Sequence, residues 1–256
     1  VSKLSLVVIT LNEEANIRRC IESALPVADE VVVVDSLSTD QTVPIATSLG
    51  AKIILQPFLG YREQKAFALS QATHDRILAL DADEELSPLL VTTILAIKNS
   101  WPADAYRINR LNHLGRVPVR HGGWYPDSKI RLFDRRIITV GGRDPHDRFE
   151  VAKESPVLPL RGDLLHYTNR DIEDRIQTQN KFSSRAAIAY YQEGKRGSWI
   201  RLLIKPCFRF LKEYIWLGGY RDGLVGLVIA RTSAAYVFWR EAKLLALHRT
   251  PPHSKP

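Results

Sequence analysis

Hydrophobic positions in the first hundred residues alternate between two patterns. Short β-branched runs at 4–10, 31–34, 51–55 and 76–80 read as buried parallel strands, and the stretches between them carry the 3.6-residue period of amphipathic helices. Asn12 stands where it would cap a first helix whose inward face holds Ile17, Cys20, Ile21 and Leu25, ended by Pro26. Thr39 or Asp40 would cap a second helix, closed by Gly50, and a third covers 62–71. Strands and helices in this order build a doubly wound sheet with right-handed crossovers, and such sheets bind ligands outside the carboxyl ends of their strands. The expected class is α/β.

The pattern changes near residue 103. Short strands at 105–107, 129–133 and 158–160, set among turns and charged loops, are expected to complete the sheet and to shape a pocket. Helical periodicity returns after Asn169, with one helix at 172–193, a turn at 194–197 and two apolar helices reaching about 247. This divides the chain into an α/β domain at 1–168, a helical region at 169–248 and a tail at 249–256 that is expected to be disordered.

A chain of 256 residues, 45% of them hydrophobic, can bury a sizeable core, which excludes gross disorder. Its net charge of +8 suits an anionic partner, and the charge is unevenly placed. Residues 1–100 carry 8 basic and 13 acidic side chains, whereas residues 101–256 carry 28 and 15. Nucleic acid is not expected, because no helix-turn-helix, zinc or RNP-type motif accompanies the charge. Between 199 and 217 the residues Arg201, Lys205, Arg209 and Lys212 form one stripe on a helix otherwise rich in Trp, Ile, Leu and Phe. That pattern suits a helix lying in a membrane interface, or an amphipathic helix packed on the domain before it. The stretch 224–239 is interrupted by Arg231 before reaching the ~20 apolar residues of a spanning helix, so peripheral binding to a membrane surface is expected. Cys20 and Cys207 lie far apart in helical segments, implying neither disulfide nor metal cluster, and no charged leader precedes the first strand. Both features fit a cytoplasmic setting.

The chemistry gathers at strand ends. Asp81, Asp83, Glu84 and Glu85 directly follow the apolar strand at 77–80, and four carboxylates so close repel one another unless a cation neutralises them. Hard oxygen ligands suit Mg²⁺ or Mn²⁺, which would in turn clamp a pyrophosphate. The plainer alternative is an acidic helix N-terminus favouring the dipole of the helix at 89–97. Asp35 ends the second strand, where a carboxylate can accept hydrogen bonds from a base N–H or a ribose hydroxyl, while Asp40 serves as the cap. Thr10, Asn12 and Glu13 supply a polar rim, and the lack of a G-x-G-x-x-G disfavours a dinucleotide site.

The runs Val7-Val8-Ile9-Thr10-Leu11-Asn12-Glu13 and Val34-Asp35-Ser36, the segment from Gly60 to Lys65 and Asp81-Ala82-Asp83 together resemble family 2 glycosyltransferases in spacing and order. With Gly123-Trp124-Tyr125-Pro126-Asp127 and Ile130-Arg131-Leu132-Phe133, the chain is similar to the branch that adds a β-linked glucose to the inner core of bacterial lipopolysaccharide. The resemblance covers nearly the whole chain. It implies a GT-A type fold, a Rossmann-like, mostly parallel sheet flanked by helices, with the helical region as an amphipathic, membrane-associating appendage. It also implies that Thr10, Glu13 and Asp35 hold uridine, that Lys65 approaches the donor's phosphates or uracil, and that Asp83 ligates the metal with Asp81 assisting. An inverting transferase needs a general base. The resemblance points to Asp147 in Asp144-Pro145-His146-Asp147-Arg148, where the branch usually has His-Glu, with Asp144 and Glu150 as neighbours able to serve instead.

Other residues keep more than one reading each. His166 is either a third metal ligand, or phosphate ligand when charged, or a hydrogen-bonded core residue. Trp124 and Tyr125, beside Gly122-Gly123, either stack on the acceptor sugar or fill the core. Arg131 pairs either with an acidic neighbour or with a phosphate on the acceptor. The expected function is transfer of a hexose, glucose from UDP-glucose foremost, onto a lipid-linked core oligosaccharide, an amphiphilic anionic acceptor, at the inner face of a bacterial inner membrane. Two rivals are a polyprenyl-phosphate transferase of the same fold and a non-catalytic basic membrane-binding module.

Overall fold

The computed structural model describes residues 2–143, 146–152 and 155–249. It divides into two compact units, one of residues 1–111 with 127–166 and one of residues 112–126 with 167–256. The segment 112–126, expected with the sheet, is thus grouped with the C-terminal helices. The expected tail, beyond Arg249, lies outside the described residues.

Strands β1 (Leu4–Thr10), β2 (Glu30–Asp35), β3 (Lys52–Leu55) and β4 (Arg76–Asp81) alternate with helices α1 (Ile17–Ala24), α2 (Thr42–Ser48) and α3 (Tyr61–Ser70). Then come β5 (Glu84–Leu86), α4 (Pro88–Ile97), β6 (Ala105–Leu114), β7 (Val117–Pro118), β8 (Asp127–Asp134), β9 (Ile138–Arg143), β10 (His146–Val151) and β11 (Val157–Asn169). The main sheet runs β3-β2-β1-β4-β8-β6-β11-β5, with β7 on β6, and β9 and β10 form a separate hairpin. The four strands β3, β2, β1 and β4 are parallel neighbours, and β8, β6 and β5 join through antiparallel pairings. The α/β class is the one expected, with an antiparallel flank added to the parallel half.

β1 shows why the parallel half was readable. Leu4, Leu6 and Val8 are buried against Ile17, Cys20 and Ile21 of α1 and Leu90 and Ile94 of α4, while Val7 packs on the opposite side with Ala68 and Leu69 of α3 and Phe149 of β10. A strand covered on both faces needs an unbroken apolar run. α1 starts four residues later than a cap at Asn12 requires, and Leu25, expected inside, is 43% exposed. Asn12 instead takes a positive φ of 56° and accepts the Thr39 N–H at 2.9 Å, tying the ends of β1 and β2 together; asparagine tolerates that conformation better than most residues. The cap position of α2 is Gln41 rather than Thr39 or Asp40, though Asp40, one residue before it, accepts the Thr42 N–H at 2.9 Å. Gly162 in β11 has a φ of +93°, and a Cβ there would stand 2.4 Å from the backbone N of Leu90, so α4 lies directly on the strand.

The second unit holds α5 (Ile172–Gln192), α6 (Trp199–Leu211), a π turn at Lys212–Trp216 and α7 (Gly223–Arg249). α7 buries Gly226, Ile229, Ala230, Ser233, Ala234, Val237, Glu241 and Leu244, a stripe at helical spacing. α7 packs on α5 and α6, so it spends its apolar face within the unit. Asp222 accepts the backbone N–H of His121 at 2.8 Å and lies 2.7 Å from its Nδ1, fastening the segment 112–126 to the helices. Among the described residues, no helix is long and apolar enough to cross a membrane.

Candidate active site

Parallel register brings the first candidates to one sheet edge: Thr10 lies opposite Asp35 on β2, and Ile9 opposite Asp81 on β4. Asp35 is fully buried. Its Oδ2 accepts the Thr10 hydroxyl at 2.7 Å and the Ser38 hydroxyl at 2.5 Å, and its Oδ1 accepts the Ser38 N–H at 2.7 Å. Thr10 and Asp35 therefore hold each other and the loop that follows β2. Glu13 is half-buried, with its Oε2 accepting from the Asn16 amide at 2.8 Å. Burial pushes the Glu13 carboxyl above its ordinary value, the Asn16 hydrogen bond opposes this, and the charges of Asp83, Asp40 and Asp81 add to the rise.

The four carboxylates after β4 do not form one acidic patch. Asp81 is held by Lys65 at 3.0 Å and by a short contact from Arg131. Burial alone would raise its carboxyl, yet the Arg131 and Lys65 charges hold it far below the carboxylate range. Glu84, whose side chain is wholly buried, accepts the Asp81 N–H at 2.9 Å and pairs with Arg131 at 2.7 Å and Arg110 at 3.3 Å. Glu85 faces Arg19 at 3.4 Å, and Asp83 faces His166 at 3.2 Å. Each acidic side chain thus has a cationic or ionisable partner supplied by the chain. Cations do neutralise the cluster, and Lys65, Arg131, Arg110 and Arg19 supply them from the chain itself; the helix-terminus alternative is corrected, since Glu84 and Glu85 lie in a strand.

That strand, β5, positions the pair at the rim. β5 runs antiparallel to β11 with Glu84 opposite His166, so the ladder delivers the imidazole beside Asp83, the residue just before β5. Asp83 is only partly buried, whereas Arg131 is 5% exposed. Burial disfavours the charge on Arg131, but Asp81 and Glu84 outweigh it and raise the guanidinium further. Of its two readings, Arg131 shows the pairing with acidic neighbours. Arg110 was not singled out in the sequence, and Glu84 only as one of the four clustered carboxylates. Arg110 on β6 sits opposite Asp127 on β8 and binds it at 2.6 Å while reaching Glu84, so it fastens the antiparallel flank under the acidic loop. The signal available was an arginine in a strand otherwise buried at Ile108 and Leu111.

Among the described residues no three His, Cys, Asp or Glu side chains converge on a metal position. Two do meet, Asp83 and His166, at 3.2 Å. A carboxylate oxygen and an imidazole nitrogen are both metal-ligating groups, so this pair would hold a divalent ion whose remaining ligands come from elsewhere. Asp147 falls in β10 opposite Gly142, and its side chain, like Asp144, lies outside the described residues. Glu150 is paired with the exposed Arg148 at 2.7 Å. Trp124 and Tyr125 belong to the second unit, where Trp124 packs with Leu114, Val119 and Ile229 and carries the Arg175 guanidinium 4.8 Å over its ring; Tyr125 is half-buried.

Residues 5–143 match the family described as glycosyl transferase family 2, and the chain belongs to that family. It is 36% identical to an uncharacterised glycosyltransferase of Rickettsia typhi, over 96% of this chain and 87% of that one. It is 31% identical to LpsC of Rhizobium meliloti, a lipopolysaccharide core biosynthesis glycosyltransferase, over 96% of this chain and 93% of that one. Among solved structures, glucosyl-3-phosphoglycerate synthase from Mycobacterium tuberculosis in complex with Mn²⁺, uridine diphosphate and phosphoglyceric acid overlays with a TM-score of 0.41 at 24% identity, covering 53% of this chain and 57% of that chain.

Proposed function

We propose that the protein is an inverting, metal-dependent hexosyltransferase that moves a sugar, glucose foremost, from a UDP-sugar donor to a lipid-linked core oligosaccharide. The observation that carries this reading is the meeting of Asp83 and His166 beside the Lys65–Asp81–Arg131 group, at the carboxyl ends of the central strands. Asp83 and His166 would hold Mg²⁺ or Mn²⁺, which when bound offsets the charge of the departing diphosphate. Lys65, kept in place by Asp81, lies where it can approach a phosphate, and Thr10, Glu13 and Asp35 frame the nucleoside side of the edge. Asp147 takes the proton from the acceptor hydroxyl as it attacks the anomeric carbon. Similarity to LpsC supports a lipopolysaccharide-type acceptor, amphiphilic and anionic; the exposed apolar and basic face of α6 supports meeting it as a peripheral protein at the inner face of a bacterial inner membrane.

Calorimetric titration of UDP into the purified protein, with and without Mn²⁺ and repeated on Asp83→Ala, tests the donor site. Binding that needs both the metal and Asp83 supports the reading. Equal binding by Asp83→Ala in Mn²⁺ removes Asp83 from the metal, and absence of UDP binding under every condition overturns the transferase.

A further inference from the structure

α6 leaves an unusual share of its surface in water. On one arc, continued through the π turn, Ile200, Leu203, Ile204, Phe208, Leu211 and Ile215 are between 47% and 69% exposed, and within the helix only Leu202 is buried. Isolated exposed apolar residues are ordinary, but a contiguous row on one helix marks an interaction surface. The polar flank of the same helix is basic and carries Arg201, Lys205, Arg209 and Lys212. Arg209 is already spent on Glu213 at 2.5 Å, whereas Lys205 is exposed.

A second feature stands on that flank. α5, α6 and α7, with the turn after α5, enclose a cavity of about 220 Å³ lined by Lys195, Arg201, Lys205, Arg240, Tyr190 and Glu241, so four cations face one carboxylate. Glu241 is nearly buried and is shared between Arg240 at 3.3 Å and Arg201 at 3.5 Å, and Lys195 meets Glu193 at 2.7 Å. Arg240 Nε is shielded from water without a hydrogen-bond acceptor, and Arg201 Nε has Glu241 Oε2 only at 3.5 Å. Lys195 and Arg240 lie over the Tyr190 ring at 4.3 and 5.1 Å, which holds the two cations near each other. A pocket of this size and charge fits a phosphate group.

We propose that α6 is the docking surface for an anionic phospholipid bilayer, its apolar arc entering the acyl boundary while the cationic cavity beside it takes a lipid phosphate. Charge selects this occupant: an apolar arc alone would suit any greasy partner, but the adjoining cavity, lined by Arg201 and Lys205 of the same helix, adds a demand for phosphate beside the apolar side chains. The inference deepens the reading of a membrane-borne acceptor given above, on which it rests for its biological sense.

The test is flotation of the full chain with vesicles, without nucleotide or acceptor, so its outcome is independent of UDP titration on the same samples. Wild type should float with phosphatidylcholine vesicles containing phosphatidylglycerol and remain unbound with phosphatidylcholine alone. Ile204→Ser should weaken binding by about 10-fold or more, the usual scale for losing one inserted aliphatic side chain, and Lys205→Glu by about 30-fold, as expected for a change of two charges near an anionic surface. Both positions are exposed, so the fold is retained, and unchanged UDP binding verifies it. Failure of wild type to float with anionic vesicles, or wild-type flotation by both variants, overturns the proposal. Release from vesicles by millimolar inorganic phosphate assigns the cavity to a soluble anion, and self-association broken by Ile204→Ser without vesicle binding assigns the arc to a second copy; either result also overturns it.

Discussion

Arg131→Met is the most informative perturbation of the site's scaffold. Methionine fills much of the same volume but leaves Glu84 wholly buried with Arg110, at 3.3 Å, as its remaining cation, and leaves Asp81 with Lys65, at 3.0 Å, as its own. Removing one partner from a buried ion pair costs ~3–5 kcal/mol. For a unit of this size each kcal/mol moves the thermal midpoint by about 2–4 °C, so the expected drop is roughly 6–20 °C at pH 7. The loss also has a pH signature. Asp81 is held below its ordinary value of 3.8, so its contribution to stability is present above that value and disappears as pH falls through its folded-state value. Arg131→Met removes most of that contribution, so the gap between variant and wild type should be widest near neutrality and narrow below about pH 4. Adding Glu84→Gln to Arg131→Met should recover part of the midpoint, because the neutral amide no longer needs a buried cation. Calorimetric scans of the three proteins from pH 7 down to pH 3 measure all of this. A drop under about 3 °C, or a gap that does not change with pH, would refute the electrostatic account of the site.

Three further outcomes are expected. Glu13→Gln should raise the thermal midpoint at pH 7, because a carboxyl whose folded value is raised loses stability as pH climbs from 4.5 through that value; the gain should vanish below pH 4.5, and UDP affinity measured alongside should fall. Gly162→Ala should cost about 1–3 kcal/mol or more in denaturant unfolding, since its methyl meets the Leu90 backbone and its φ suits glycine. Asp147→Asn should leave UDP binding unchanged while lowering turnover by ~10²-fold or more, and unaltered turnover in a sugar-transfer assay removes Asp147 as base.

The parallel half of the sheet was legible because buried central strands must be apolar on both faces, as in β1. Thr10, Asp35 and Asp81 could be placed together because parallel register fixes which strand ends adjoin. β5 was invisible: a strand of three residues, two of them glutamates, has no period to detect and reads as a helix start. Its partner His166 lies more than eighty residues further on, so the Asp83–His166 meeting depends on a pairing that no local pattern announces. Arg131 could be seen as a cation with an acidic partner, yet which carboxylate it would meet depended on the order of β4, β8 and β6. Leu25 shows the opposite error, since helical spacing placed it inside, but α1 ends a residue earlier and leaves it in water.

The acidic loop has a consequence for the sheet as a whole. Its two outermost strands are β3 and β5, and an open strand edge is a template for pairing with other chains. β5 is three residues long and carries the partly exposed Glu85, while β3 is four residues long and begins with an exposed lysine. Short, charged borders of opposite sign resist the addition of a foreign strand. The short strand that sets His166 beside Asp83 thus also helps keep the folded chain from growing, strand by strand, into an aggregate.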